Sequence, residues 1–130
     1  MLDERMIKGT FTSGTEYTVL ATVLNMNRDI VRRLQSFDFT KKNPKMVVLC
    51  TGEQPCSLED AILMTFLNLV GFDIALFVPT GYQTIERYLN GNYPVEHQIG
   101  EYVYDLQVPD FSALTPVKRS WLENILKRGN

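Results

Sequence analysis

Two short apolar segments, Met46–Cys50 and Phe72–Val78, flank a stretch that opens on Ser57 and closes on Gly71, and this triplet constrains the fold more than any other feature of the chain. Met46-Val-Val-Leu-Cys50 shows no alternation of apolar and polar residues, which predicts a strand covered on both faces. In Ser57-Leu-Glu-Asp60 a hydroxyl stands three residues before a carboxylate, the spacing of a capping box at a helix start. Gly71 falls where a helix commonly ends in a left-handed residue, and Pro79 stops the second apolar segment. Strand, helix and strand in this order form a βαβ unit, which requires parallel strands and a right-handed crossover. The expected fold class is therefore α/β, a Rossmann-like three-layer domain with a small, mostly parallel sheet flanked by helices.

The flanking segments extend the same reading. From Thr15 to Gln35, Val19, Leu20, Val23, Leu24, Ile30, Val31 and Leu34 recur at spacings of three and four, which predicts an amphipathic helix kinked near Asn25 to Asn27. Thr80-Gly-Tyr-Gln83 repeats the capping-box spacing and predicts a helix to about Leu89. Tyr102, Tyr104 and Leu106 alternate with Glu101, Val103 and Asp105, which predicts a third, peripheral strand. Thr115-Pro116 followed by Val117, Trp121, Leu122, Ile125 and Leu126 predicts a last helix. Two covered strands and one peripheral strand make a thin sheet, and the first helix has no strand before it. The expectation is one α/β domain over residues 1–130, the C-terminal fragment or domain of a longer protein, or a chain whose open side a second copy covers.

Composition removes several functions. With 130 residues, 45% hydrophobic and 22% charged, the chain is long enough for one core and is not charge-rich enough to stay unfolded. A net charge of -2 supplies no field for nucleic acid or anionic lipid. The longest apolar run, Ala61 to Val70, is broken by Thr65 and Asn68 and falls short of the roughly 20 residues that span a bilayer. The start, with Asp3, Glu4 and Arg5, is not a secretory signal. A cytoplasmic location without nucleic-acid or membrane partners is expected, with Cys50 and Cys56 as thiols.

In open α/β sheets ligands bind beyond the carboxyl ends of the strands, where helix starts offer free N–H groups. Two loops qualify: Thr51, Gly52, Glu53, Gln54 and Ser57 after the first strand, and Thr80, Gly81, Tyr82, Gln83 and Thr84 after the second. If the strands are adjacent and parallel, both loops share one rim; otherwise their glycines and caps only satisfy the backbone. Glu59 and Asp60 already complement the helix dipole at the first loop and disfavour phosphate there. A secondary candidate is the glycine- and hydroxyl-rich stretch carrying Thr10, Thr12, Ser13, Gly14 and Thr15. Its glycine spacing resembles a phosphate-binding loop, but Thr15 stands where lysine is needed and Glu16 where the magnesium-binding hydroxyl belongs, which argues against triphosphate hydrolysis. Cys50 and Cys56 have neither metal-ligand nor redox-dipeptide spacing. Cys56 precedes a helix start and is a possible reactive thiol. His97 is the single histidine, so no histidine triad or zinc set is available and no metal is expected. No cofactor can be named from the sequence.

The segments VVLCTGEQPCSLEDAILMTFLNLVGFDIALFVPTGYQTIERYL and KGTFTSGTEYTVLATVLNMNRDIVRRLQSFDF together resemble the C-terminal portion of the bacterial YceG-like family. That resemblance implies a component of a "biosynthetic module" found beside tellurite-resistance and general stress genes, in proteins several hundred residues longer. It implies no catalytic residues. The expected ligand is a nucleotide or phosphorylated metabolite; the alternatives are an assembly module that docks on the upstream domain or on partner proteins of the same module, and the sugar-nucleotide half of a glycosyltransferase, which would lack its paired glutamates.

Overall fold

The computed structural model describes residues 1–51, 56–82, 84–91 and 93–110. Strands Lys45–Leu49 (β1) and Asp73–Phe77 (β2) pair in parallel, with Lys45 opposite Asp73 and Leu49 opposite Phe77. At the head of the ladder Lys45 Nζ donates to Asp73 Oδ2 at 2.8 Å. This bond and the lysine's charge hold the Asp73 carboxyl below its ordinary range. The crossover is the helix Leu58–Val70 (α3). Ser57 caps it: its Oγ accepts from the Asp60 N–H at 3.1 Å, while Asp60 Oδ2 accepts from the Ser57 N–H at 2.9 Å. Gly71 ends the helix at φ 115, and its N–H donates to the Asn68 carbonyl.

Helix α3 is apolar nearly all round, as befits an element buried between others. Ala61, Ile62, Met64 and Leu67 are buried in it, and Thr65 donates its hydroxyl to the Ala61 carbonyl. Helix Thr15–Leu24 (α1) packs on α3 through Val19, and Val48, Ile74 and Leu76 reach the same core from the sheet. Ile7, Ile85 and Leu89 complete it.

Several sequence-based expectations need correction. The helix expected from Thr15 to Gln35 is two helices, α1 and Arg28–Ser36 (α2). Asn25 closes α1 by donating from its side chain to the Ala21 carbonyl, and Asn27 caps α2 by accepting from the Asp29 N–H. Helix α2 packs on no other helix or strand among the described residues. The helix expected from Thr80 to Leu89 is a single 3-10 turn, Ile85–Arg87. The chain beyond it is recruited elsewhere: Ile7 bridges Leu89 antiparallel, the Lys8 N–H donates to the Tyr88 carbonyl at 2.7 Å, and the Asn90 N–H to the Met6 carbonyl at 2.8 Å. The backbone groups a helix would use are thus bound to the N-terminal segment. No strand forms over residues 100–106, where the Val103 N–H reaches the Pro79 carbonyl just past the end of β2.

Among the described residues neither strand is covered on both faces. In β1 and β2 half-buried residues alternate with exposed ones, so Val47 is 70% and Phe77 49% exposed. The uniform apolarity of these segments therefore marks an open apolar face, and the described elements form a mixed α/β unit with a two-stranded parallel sheet. The helix expected after Thr115 lies outside the described residues.

The caps of α3 lend themselves to measurement. Ser57→Ala should lower unfolding free energy by about 1 kcal/mol, and Gly71→Ala by roughly the same, because its left-handed backbone admits a side chain poorly. Urea denaturation should show lower midpoints with an unchanged slope for both.

Candidate functional site

The parallel register decides where the two strand-end loops begin. The Cys50 N–H donates to the Phe77 carbonyl at 2.9 Å, extending the ladder by one residue, so the loops leave the sheet side by side. After β1 come exposed Thr51, half-buried Cys56 and exposed Ser57 at the head of α3; Gly52, Glu53 and Gln54 lie outside the described residues. After β2, Thr80 is buried at 7% exposure, Gly81 and Tyr82 are exposed, and Thr84 is buried at 3%; Gln83 lies outside the described residues. Parallel pairing thus starts both loops at one edge, Thr51 following one strand and Thr80 the other.

Each buried hydroxyl already has a local task. Thr80 Oγ1 accepts from the Tyr82 N–H at 3.4 Å, which fixes a tight turn through Gly81 at φ 67. Thr84 donates its hydroxyl to one oxygen of Glu86 at 3.1 Å and its N–H to the other at 2.8 Å. Lys8 Nζ donates to the Glu86 carbonyl at 3.3 Å, two residues past Thr84.

The sequence reading missed the roof of this turn. A Cβ at Gly81 would overlap the Tyr102 ring, so glycine is what lets that ring lie against the backbone. Tyr104 meets Tyr82 edge to face, with centroids 6.3 Å apart. Alternate residues of an extended segment share a side, so the Tyr102, Tyr104 periodicity that suggested a strand instead lays two aromatic rings over the second loop. Tyr82, Tyr102 and Tyr104 are each at least half exposed.

The glycine-hydroxyl loop is arranged differently. Gly9 lies at φ 82, where a Cβ would run into the hydroxyls of Thr15 and Ser13. Three N–H groups of the loop are engaged within it: Phe11 donates to Glu16 Oε2 at 2.8 Å, and Thr12 and Ser13 both donate to the Gly9 carbonyl. Thr10 is buried and donates to the Ile7 carbonyl. Gly14, also left-handed, precedes α1 without a side-chain cap. A carboxylate of the chain itself thus takes a backbone donor that a phosphate would need.

The YceG domain family model matches residues 1–122. The chain belongs to the YceG domain family. It is 30% identical over 96 residues to the uncharacterized protein YceG of Bacillus subtilis (strain 168), an alignment covering 73% of this chain and 17% of that relative. This YceG domain therefore spans about a sixth of the relative's length. No solved structure matches it significantly. Among the described residues, no helix is long and apolar enough to cross a membrane.

Cys50 and Cys56 also meet at this edge, with Sγ atoms 3.1 Å apart. Burial first, then the hydrogen bond with Cys56 and the nearby charges of Cys56 and Asp60, push the Cys50 thiol up to about 12. A thiol that keeps its proton longer when folded adds stability that is present below its ordinary value of 9.0 and is lost as pH rises toward about 12. In reducing buffer, the melting temperature of the wild type should fall more than that of Cys50→Ser between about pH 8 and about pH 10.5, as scanning calorimetry would show. Gly81→Ala should displace the Tyr102 ring and speed chymotryptic cleavage after Tyr102 and Tyr104, with a folded core retained in circular dichroism.

Proposed function

We propose that this YceG domain binds a nucleotide or another phosphorylated metabolite at the rim formed by Thr51, Gly52, Glu53, Gln54 and Ser57 with Thr80, Gly81, Tyr82, Gln83 and Thr84. The observation that carries it is the Cys50 to Phe77 bond at the end of a parallel pair, which starts both loops at one edge beside the head of α3. Lys8, bonded to the Glu86 carbonyl two residues past Thr84, offers a cation, and Tyr82, Tyr102 and Tyr104 offer exposed ring faces on which a nucleobase can stack. The loop from Thr10 to Thr15 is the weaker place for an anion, since the N–H groups of Phe11, Thr12 and Ser13 are taken and the Glu16 carboxylate lies among them.

On this reading the chain is the C-terminal part of a longer protein, in which further strands beside β1 or β2 complete a Rossmann-like three-layer sheet. The setting we propose is the stress- and tellurite-associated biosynthetic module that the family resemblance implies, in the cytoplasm that composition suggests. A second reading, an assembly module docking on an upstream domain, partner proteins or another copy, draws on the open sheet face of Val47, Ala75 and Phe77.

Thermal-shift measurements with ATP, a sugar nucleotide and inorganic phosphate distinguish the two. A ligand present at 100 times its Kd stabilises by about 2.7 kcal/mol, and Gly81→Val or Gln83→Ala should abolish the shift. Shifts that survive in both variants would put binding elsewhere. Silence across the panel together with concentration-dependent self-association in light scattering would favour the assembly reading.

A further inference from the structure

The chain has two thiols, and the fold makes them face each other. Their spacing in sequence is that of neither a metal site nor a redox dipeptide; a strand end and a helix start bring them together. Cys50 is fixed at the end of the ladder by its N–H bond to Phe77. Cys56 stands one residue before the Ser57 cap and packs against the core formed by α3 and its neighbours. Both are half-buried and free, and their sulfurs lie within about an ångström of bonding distance.

We propose that Cys50 and Cys56 form a reversible dithiol–disulfide pair, oxidised by hydrogen peroxide or an organic hydroperoxide, that staples the end of β1 to the start of α3. The pairing does not depend on what the rim binds. The order of events follows from the environment of the two sulfurs. Burial, Cys56 and the Asp60 charge disfavour the Cys50 thiolate, and Cys56 stands just before the positive end of α3, so Cys56 is the sulfur that attacks. The Cys56 thiolate takes one peroxide oxygen as the O–O bond breaks. The leaving oxide picks up a proton to become water or an alcohol, and Cys56 becomes a sulfenic acid. Cys50 sulfur then attacks Cys56 sulfur, the S–S bond forms as the S–O bond breaks, and the departing hydroxide leaves with the Cys50 proton as water. The two thiols lose two electrons and two protons in all, and the peroxide is reduced. A dithiol reductant reverses the bond by exchange.

The test uses the whole chain, reduced, desalted and exposed to a modest excess of hydrogen peroxide, with glutathione in a parallel tube as the reference thiol. After denaturation, maleimide labelling and intact mass should show both thiols lost together, a mass lower by two hydrogens and a monomer on non-reducing gels, with dithiothreitol restoring both. Cys50→Ser should leave a Cys56 sulfenic acid trapped by dimedone, and Cys56→Ser should trap far less at Cys50. Serine is close in size to cysteine, and circular dichroism reports whether each variant folds. The proposal fails if both thiols stay alkylatable while glutathione is consumed. It fails equally if oxidation yields only intermolecular dimers or sulfinic acid, or if Cys56→Ser traps as much sulfenic acid as Cys50→Ser.

Discussion

The structure depends on one helix wedged against two parallel strands. Helix α3 must descend from the end of β1 and deliver the chain to the start of β2, and its capping box and left-handed terminus set its length. Because it is apolar on several sides, it gathers α1 through Val19, the sheet through Val48, Ile74 and Leu76, and the N-terminal segment through Ile7. Each fully buried aliphatic side chain in this cluster contributes roughly 1.5–3 kcal/mol. Met6 and Leu67 are buried as well, so the described core draws on the N-terminal segment, α1, α3, the sheet and the Ile85 turn together.

The rim inherits its order from this core. Ile85 and Leu89 are pulled inward, and the pairing of Ile7 with Leu89 claims backbone groups that would otherwise continue a helix. The second loop is consequently a tight turn through Gly81 with an aromatic roof rather than a helix start. The free donors of a helix N-terminus are therefore offered on one side of the edge only, at α3, where Asp60 already engages one of them. The edge beside the second loop therefore offers ring faces and loop backbone rather than a helix dipole.

The open face of the sheet is the other consequence of a small core. Lys45 and Asp73 pair at one end of this face, leaving Val47, Ala75 and Phe77 uncovered beyond them. An apolar sheet face is stable in a larger assembly when another layer covers it, and this domain spans only a sixth of its relative.

Local rules were enough to read the βαβ unit, because Ser57, Asp60 and Gly71 act on backbone groups within a few residues and the strand segments are short and apolar. They were enough to locate the two loops as well, since parallel pairing follows from a helical crossover. They were misleading wherever a distant segment competed for the same groups. Thr80 to Gln83 has helix-start spacing, yet the chain beyond it pairs with the N-terminus; Tyr102 and Tyr104 alternate as a strand does, yet no described neighbour offers a ladder. The apolar strands read as covered on both faces because composition records affinity for a partner, not whether one is present. Contact between Cys50 and Cys56, the aromatic roof over Gly81 and the closing of the glycine-hydroxyl loop by Glu16 were likewise decided only in three dimensions. Each depends on the distance between residues held by different elements, a quantity that no local pattern carries.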